Sequence, residues 1–307
     1  MSAKSLRPVT DSPQRTDHLD GLAIALLLGC CVFWGLQQVL AKITLSEMPP
    51  VFQSAVRAVG ATVLLSVWCK VRGIPLLVRD GSLWLGLLAG AFFTFEFACI
   101  YLALSQTGAS RVTVFLYTSP FWVAALLPIF VRAERMNRMQ WLGLSFAFAA
   151  VVFALWENLQ KVGSGRLGDA LALLAGASWG LTTVVIRATS LSKMSAERLL
   201  FYQLACSAVA LPLISLAFGE RWPAPGNLSS FAWLSLFLQT AVGAFASYLI
   251  WMWMLTRYPA GKMSAFVFLT PVFALLLAAI WLSEPVTLNL VIAIALVCLG
   301  ILLVNKR

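Results

Sequence analysis

Residues 108–120 read GASRVTVFLYTSP, and residues 259–271 read PAGKMSAFVFLTP. Laid over one another without a gap, they pair Arg111 with Lys262, Phe115 with Phe266, and Ser119-Pro120 with Thr270-Pro271, 151 residues apart. Each block runs into an apolar segment closed by a glutamate, Glu134 in AERM and Glu284 in SEPV. A second echo lies earlier, Trp34-Gly35 against Trp179-Gly180, at an offset of 145. Loop insertions account for the difference between the offsets. Any two apolar helices resemble each other, but two echoes in the same order indicate an internal duplication.

Each copy contains five apolar stretches. In the first they are Gly21 to Leu45, Val51 to Val71, Leu83 to Leu104, Val112 to Val131 and Met139 to Trp156. In the second they are Leu167 to Ala188, Leu199 to Phe218, Phe231 to Leu255, Met263 to Leu282 and Val286 to Val304. A helix crosses a hydrocarbon core of about 30 Å with roughly 17 to 25 apolar residues, its backbone polar groups paired within the segment. Outer-membrane barrels instead show alternating segments of about ten residues. The expected fold class is therefore all-α integral membrane, with ten transmembrane helices. Five spans per copy is an odd number, so the second copy enters from the opposite side and the repeat is inverted. The expected organisation is a disordered cytoplasmic tail over 1–20, a first repeat over 21–156, a linker over 157–166 and a second repeat over 167–305. Two copies in opposite orientations build gates facing opposite sides around one central site, a hallmark of secondary transporters.

Composition agrees with burial in a lipid bilayer: 61% of residues are hydrophobic and 11% charged, with a mean hydropathy of +0.88. The net charge of +10 does not mark a nucleic-acid binder, because the basic residues follow topology. With the N-terminus inside, only Lys42, Arg57, Arg111, Lys161, Arg166 and Arg221 of the 22 fall on the outer side. This is the positive-inside pattern, which places both termini in the cytoplasm of a cell (inner) membrane. The first span is too long for a cleaved signal peptide. The six cysteines all lie in apolar spans without metal-ligand spacing and read as buried thiols. Within the spans there is no histidine, GxSxG, HExxH or aspartate pair, which argues against an enzyme. Channel filter motifs and a nucleotide-binding P-loop are missing too, and no cofactor is implied.

The remaining polar and aromatic residues outline a site. Nine tryptophans, Trp251 among them, fall near span ends or in loops, the usual interfacial place. Trp34, Trp122 and Trp179 fall near mid-span, where an indole N–H facing lipid lacks a partner, so they are expected to face the bundle interior. Gln37 and Gln38 accompany Trp34, and Thr183 lies one turn from Trp179. These residues read either as a binding cavity at the repeat interface or as core filling beside Gly35 and Gly180. Tyr117 and Thr118 precede Pro120, while Phe268 and Thr270 precede Pro271. A proline frees a carbonyl one turn earlier, so these helices bend, with or without touching substrate. In the third and eighth spans, Phe95, Phe97, Tyr101, Ser247 and Tyr248 are lining candidates. Glu96, roughly 12 Å deep, is the one acid far inside a span, and Arg57 lies at a similar depth of roughly 9 Å. Buried ionisable groups in a membrane are functional by default. Glu96 and Arg57 read equally as an ion pair, with Lys42 as the alternative partner, or as a binding or proton-coupling site.

The segments YTSPFWVAALLPIFVRAERMNRMQWLG (Tyr117 to Gly143), LTPVFALLLAAIWLSEPVTLNLV (Leu269 to Val291) and CVFWGLQQVLAK (Cys31 to Lys42), with Arg57, resemble the EamA-type repeat of the drug/metabolite transporter superfamily. The resemblance spans nearly the whole chain and implies ten helices in five-plus-five inverted repeats. Within the superfamily it is most similar to YddG-type exporters of aromatic amino acids. It thereby implies export of a small-molecule substrate by alternating access, with drugs or other metabolites as the alternative cargo. Arg135 follows Glu134 where Pro285 follows Glu284, so the two halves need not gate alike.

Overall fold

The structure, a computed structural model, describes residues 18–107, 109–161, 165–282 and 288–305. Most of the expected tail, Glu284 and the side chain of Lys42 lie outside the described residues. Among the described residues the fold is wholly helical. Single helices form spans one to three: α1 (Gly21–Thr44), α2 (Pro50–Arg72) and α3 (Leu83–Gln106). The fourth is broken into α4 (Ala109–Leu116) and α5 (Ser119–Phe130). Then follow α6 (Arg138–Lys161), α7 (Arg166–Ala188) and α8 (Ala196–Ala217). The eighth span joins α9 (Ser230–Phe237) to α10 (Tyr248–Arg257) through a π-helical segment, Leu238–Ser247. The ninth is again broken, into α11 (Ala260–Phe266) and α12 (Leu269–Leu282), and α13 (Leu288–Asn305) ends the bundle. Among the described residues seven stretches are long and apolar enough to cross a membrane. Three shorter apolar ones, Arg138–Phe153, Ala260–Ala274 and Ile294–Asn305, fall in the other three expected spans.

Local chemistry sets several of the ends. Pro50 opens α2, where its missing N–H costs nothing, and Gly73 closes it in the left-handed region at φ 67°. The Ser195 and Ser229 hydroxyls cap α8 and α9 by accepting from Arg198 N and Ala232 N. The breaks in the fourth and ninth spans fall at Tyr117–Thr118 and Val267–Phe268, just ahead of Pro120 and Pro271. Neither proline nitrogen can donate to the carbonyl one turn earlier, and the helix restarts at that point.

The two halves interlock with inverted symmetry. Gly35 of α1 lies against α12, where an added Cβ would come within 2.9 Å of the Thr270 carbonyl oxygen and 2.8 Å of Ala274 N. Its counterpart Gly180 of α7 lies against α5, where a Cβ would come within 2.6 Å of the Trp122 Cβ and 3.3 Å of the Ser119 carbonyl oxygen. Helix α2 packs on α8, α6 on α13 and α3 on α7.

Polar ties hold both ends of the bundle. At the proximal face, where α1 begins, the Tyr258 hydroxyl donates to Asp20 at 2.9 Å. There too Glu134 pairs with Arg187, and Arg198 meets Asp80 at 2.7 Å. The Ser82 hydroxyl, and then Arg198, pull the Asp80 carboxyl down to about 2. At the distal face Glu220 accepts from Val51 N and Phe52 N at 3.0 and 2.7 Å, a carboxylate closing the N-terminus of α2. Glu47 takes Ser229 N and Oγ, both at 2.8 Å, and Arg111 pairs with Asp169.

Candidate substrate-binding cavity

A cavity of about 170 Å³ opens between α1, α2, α3, α4, α7, α8 and α10. Its floor is Ile186 and Leu255. Directly beneath, Arg187 donates to the Leu255 carbonyl at 2.8 Å and pairs with Glu134, both side chains nearly inaccessible. Glu134 also accepts from Ala260 N at 3.4 Å, so its carboxylate ties α7 to α11 while Arg187 ties α7 to α10. Toward the distal face the lining ends at Leu45, Leu104 and Val112.

Trp34, Gln37, Gln38, Arg57, Glu96, Tyr101, Tyr117, Trp179, Thr183 and Tyr248 all line this cavity. Trp34 is its hub, with edge-on contacts to Trp251, Tyr248 and Trp179 at centroid distances of 5.4, 5.9 and 6.4 Å. Such geometries suit the ring quadrupole. Its indole N–H donates to Ser247 Oγ at 2.8 Å, and Ser247 Oγ donates to the Gly243 carbonyl inside the π-helical segment. The wide turn at that point presents Ser247 to Trp34, and Gly243 leaves room for the Gln37 amide oxygen against its Cα. Gln38 Nε2 donates to the Tyr117 hydroxyl at 3.3 Å, joining α1 to the broken fourth span.

Other expected residues fall elsewhere. Thr118 turns its hydroxyl onto the Phe115 carbonyl at 2.7 Å, inside the broken turn and away from the lining. Phe268 is fully buried between Tyr117 and Phe148. Pro120 and Pro271 shape their helices without reaching the lining. Phe95 points outward. Trp122, expected inside, is 36% exposed on the outer surface of α5, whereas Trp251, expected at an interface, is 4% exposed and belongs to the aromatic cluster. Depth along a span does not determine which way a residue faces.

Of the two readings of Glu96 and Arg57, the direct ion pair does not occur. Among the described residues Arg57 enters no ion pair, and its guanidinium instead lies over the Phe97 ring, 4.3 Å from the centroid. Gln203, Phe93, Thr182 and Met252 also line the cavity and were not anticipated. Gln203, an amide seven residues into an apolar helix, was open to the reasoning applied to Glu96. Among the described residues no three metal-ligating side chains converge. The arrangement suits reversible binding of a solute with a flat apolar part and a polar head.

The sequence profile of the EamA-like transporter family matches residues 21–156 and 166–306. An uncharacterized transporter of Archaeoglobus fulgidus is 30% identical over 268 residues, covering 86% of this chain and 88% of that protein. A probable amino-acid metabolite efflux pump of Escherichia coli (strain K12) is 25% identical over 274 residues, covering 87% and 88%. One solved crystal structure superposes with a TM-score of 0.78 at 18% identity, over 93% of this chain and 99% of the other.

Proposed function

The chain belongs to the EamA-like transporter family, and we propose that it is a secondary transporter that exports small metabolites, with aromatic amino acids as its leading substrates. The observation that carries this reading is the aromatic enclosure around Trp34, in which Trp179, Trp251, Tyr117 and Tyr248 surround a mid-bundle cavity with few polar groups. The Escherichia coli relative, a probable amino-acid metabolite efflux pump, supports the amino-acid part of this reading. The basic-residue asymmetry supports a cytoplasmic proximal face in the cell (inner) membrane, with residues 21–156 and 167–305 as the two repeats. In that orientation the Glu134–Arg187 pair closes the cavity toward the cytoplasm. Alternating access then consists of opening that closure while the distal ties tighten.

The test is counterflow of labelled phenylalanine, tyrosine and tryptophan into proteoliposomes containing only this protein. A ring stacked on a cavity tryptophan gains about 0.5 to 1.5 kcal/mol beyond area burial. Trp179→Ala and Trp34→Ala should therefore lower flux roughly two- to tenfold, since 1.4 kcal/mol is a factor of ten. Trp84→Ala, 78% exposed at a helix end, should change it little. Equal losses at all three positions point to packing, and no aromatic flux in the unaltered protein refutes the substrate assignment.

A further inference from the structure

Two ionisable side chains in the cavity wall carry polar atoms without partners. Arg57 is 3% exposed and Glu96 5% exposed, and both line the cavity. Arg57 Nε and Nη1 have no hydrogen-bond partner, nor has Glu96 Oε2. A buried charge with no partner is costly, and native structures rarely leave such groups unsatisfied without a reason. Here an arginine and a glutamate line one cavity together with Tyr248, and yet they form no ion pair.

We propose that Arg57 and Glu96 form a head-group subsite for a zwitterion, the carboxylate of an α-amino acid held by Arg57 and its ammonium by Glu96. The inference rests on the amino-acid reading above and deepens it. Phe97 covers one face of the guanidinium at 4.3 Å and leaves Nε and Nη1 for an anion, donors of the kind with which arginine recognises carboxylates. Gln203, fully buried, supplies a further acceptor. Its Nε2 is occupied by the Leu199 carbonyl and Met252 Sδ at 3.2 and 3.3 Å, which leaves Oε1 unpartnered on the cavity side of α8. Tyr248 then joins the two ends of the site. It contacts Phe93 and Phe97 beside Arg57 at 5.7 and 6.2 Å, and Trp34 of the aromatic cluster at 5.9 Å. A zwitterion brings one charge of each sign and no net charge, so its entry satisfies both orphan groups at once. A lone amine or a lone acid satisfies one and leaves the other exposed to the cavity.

The experiment measures counterflow in proteoliposomes of the full-length protein with L-phenylalanine, 2-phenylethylamine, which lacks the carboxylate, and 3-phenylpropionate, which lacks the ammonium. Unaltered protein should prefer phenylalanine to either analogue at least tenfold, and comparable flux of all three overturns the subsite. Arg57→Gln should lower the phenylalanine-to-phenylethylamine ratio at least tenfold, and Glu96→Gln the phenylalanine-to-phenylpropionate ratio. A loss shared equally by all three compounds in both variants assigns the residues to packing and overturns the proposal. Should either variant fail to fold, the preference of the unaltered protein still decides, with Arg57→Lys and Glu96→Asp as charge-keeping replacements. Repeating the series with L-leucine, 3-methylbutylamine and 4-methylpentanoate separates the two readings. Leucine flux with the same head-group rule, and no phenylalanine flux, refutes the aromatic assignment and upholds the subsite. Absence of flux for both amino acids refutes the subsite.

Discussion

Trp122 and Trp251 show what a single residue's position in the sequence encodes and what it does not. Both are aromatic residues in apolar spans. Position along the span favoured Trp122 as the inward one, yet Trp122 is 36% exposed while Trp251 is buried against Trp34. Orientation about the helix axis decides, and it is set by which neighbours the helix acquires, so it is written in the packing of other spans. The contrast has a measurable consequence. Removing a buried large aromatic leaves a cavity and costs about 3 to 5 kcal/mol, whereas outer-surface changes usually stay within about 0.5 kcal/mol. Trp251→Ala should lower the melting temperature in detergent and also reduce counterflow of aromatic amino acids. Trp122→Ala should leave both near the values of the unaltered protein. Equal effects of the two substitutions would remove Trp251 from the cavity wall.

Elements were far more legible than residues, because length and apolarity identify a membrane helix without reference to anything else. The spans, their pairing into two copies and a bend ahead of Pro120 and Pro271 follow from the chain alone, whereas the full break of the fourth and ninth helices there is seen only in the structure. The π-helical segment Leu238–Ser247 did not follow from the chain, since neither a proline nor a change in apolarity marks it. Its inner side receives a bond from outside the span, the Trp34 indole donating to Ser247, and lies against Gln37 at Gly243. At this scale the symmetry of the fold rests on Gly35 and Gly180, each holding a helix of one half against the broken helix of the other. Overpacking typically costs about 1 to 3 kcal/mol. Gly35→Ala and Gly180→Ala should each destabilise the protein by about that amount in thermal unfolding. Gly29→Ala, where a Cβ meets nothing within 4 Å, should be neutral or stabilise the helix by up to about 1 kcal/mol. If all three alanines melt alike, the close approach is not what locks the halves together.

Across the whole molecule, the two faces are held by different chemistry. The distal face is held by Glu220 and Glu47 accepting mainly from backbone N–H groups, together with the partly exposed Arg111–Asp169 pair. The proximal face is shut by the buried Glu134–Arg187 pair under the cavity floor. Breaking one partner of a buried pair strands a charge and costs about 3 to 5 kcal/mol, while removing both partners is much milder. Glu134→Gln should therefore destabilise the protein more than the Glu134→Gln/Arg187→Gln double variant does. The same lesion should loosen the closure on its own side. On a background lacking native cysteines, Ile186→Cys at the cavity floor should resist a membrane-impermeant maleimide applied to the cytoplasmic side, and should react when Glu134→Gln is added. Asn227→Cys, between α8 and α9 at the distal face, serves as the orientation reference and should react only from outside. Labelling of Asn227→Cys from the inside alone would invert the topology. Labelling of Ile186→Cys from the cytoplasm at equal rates with and without Glu134 would show that the ion pair does not seal the cavity.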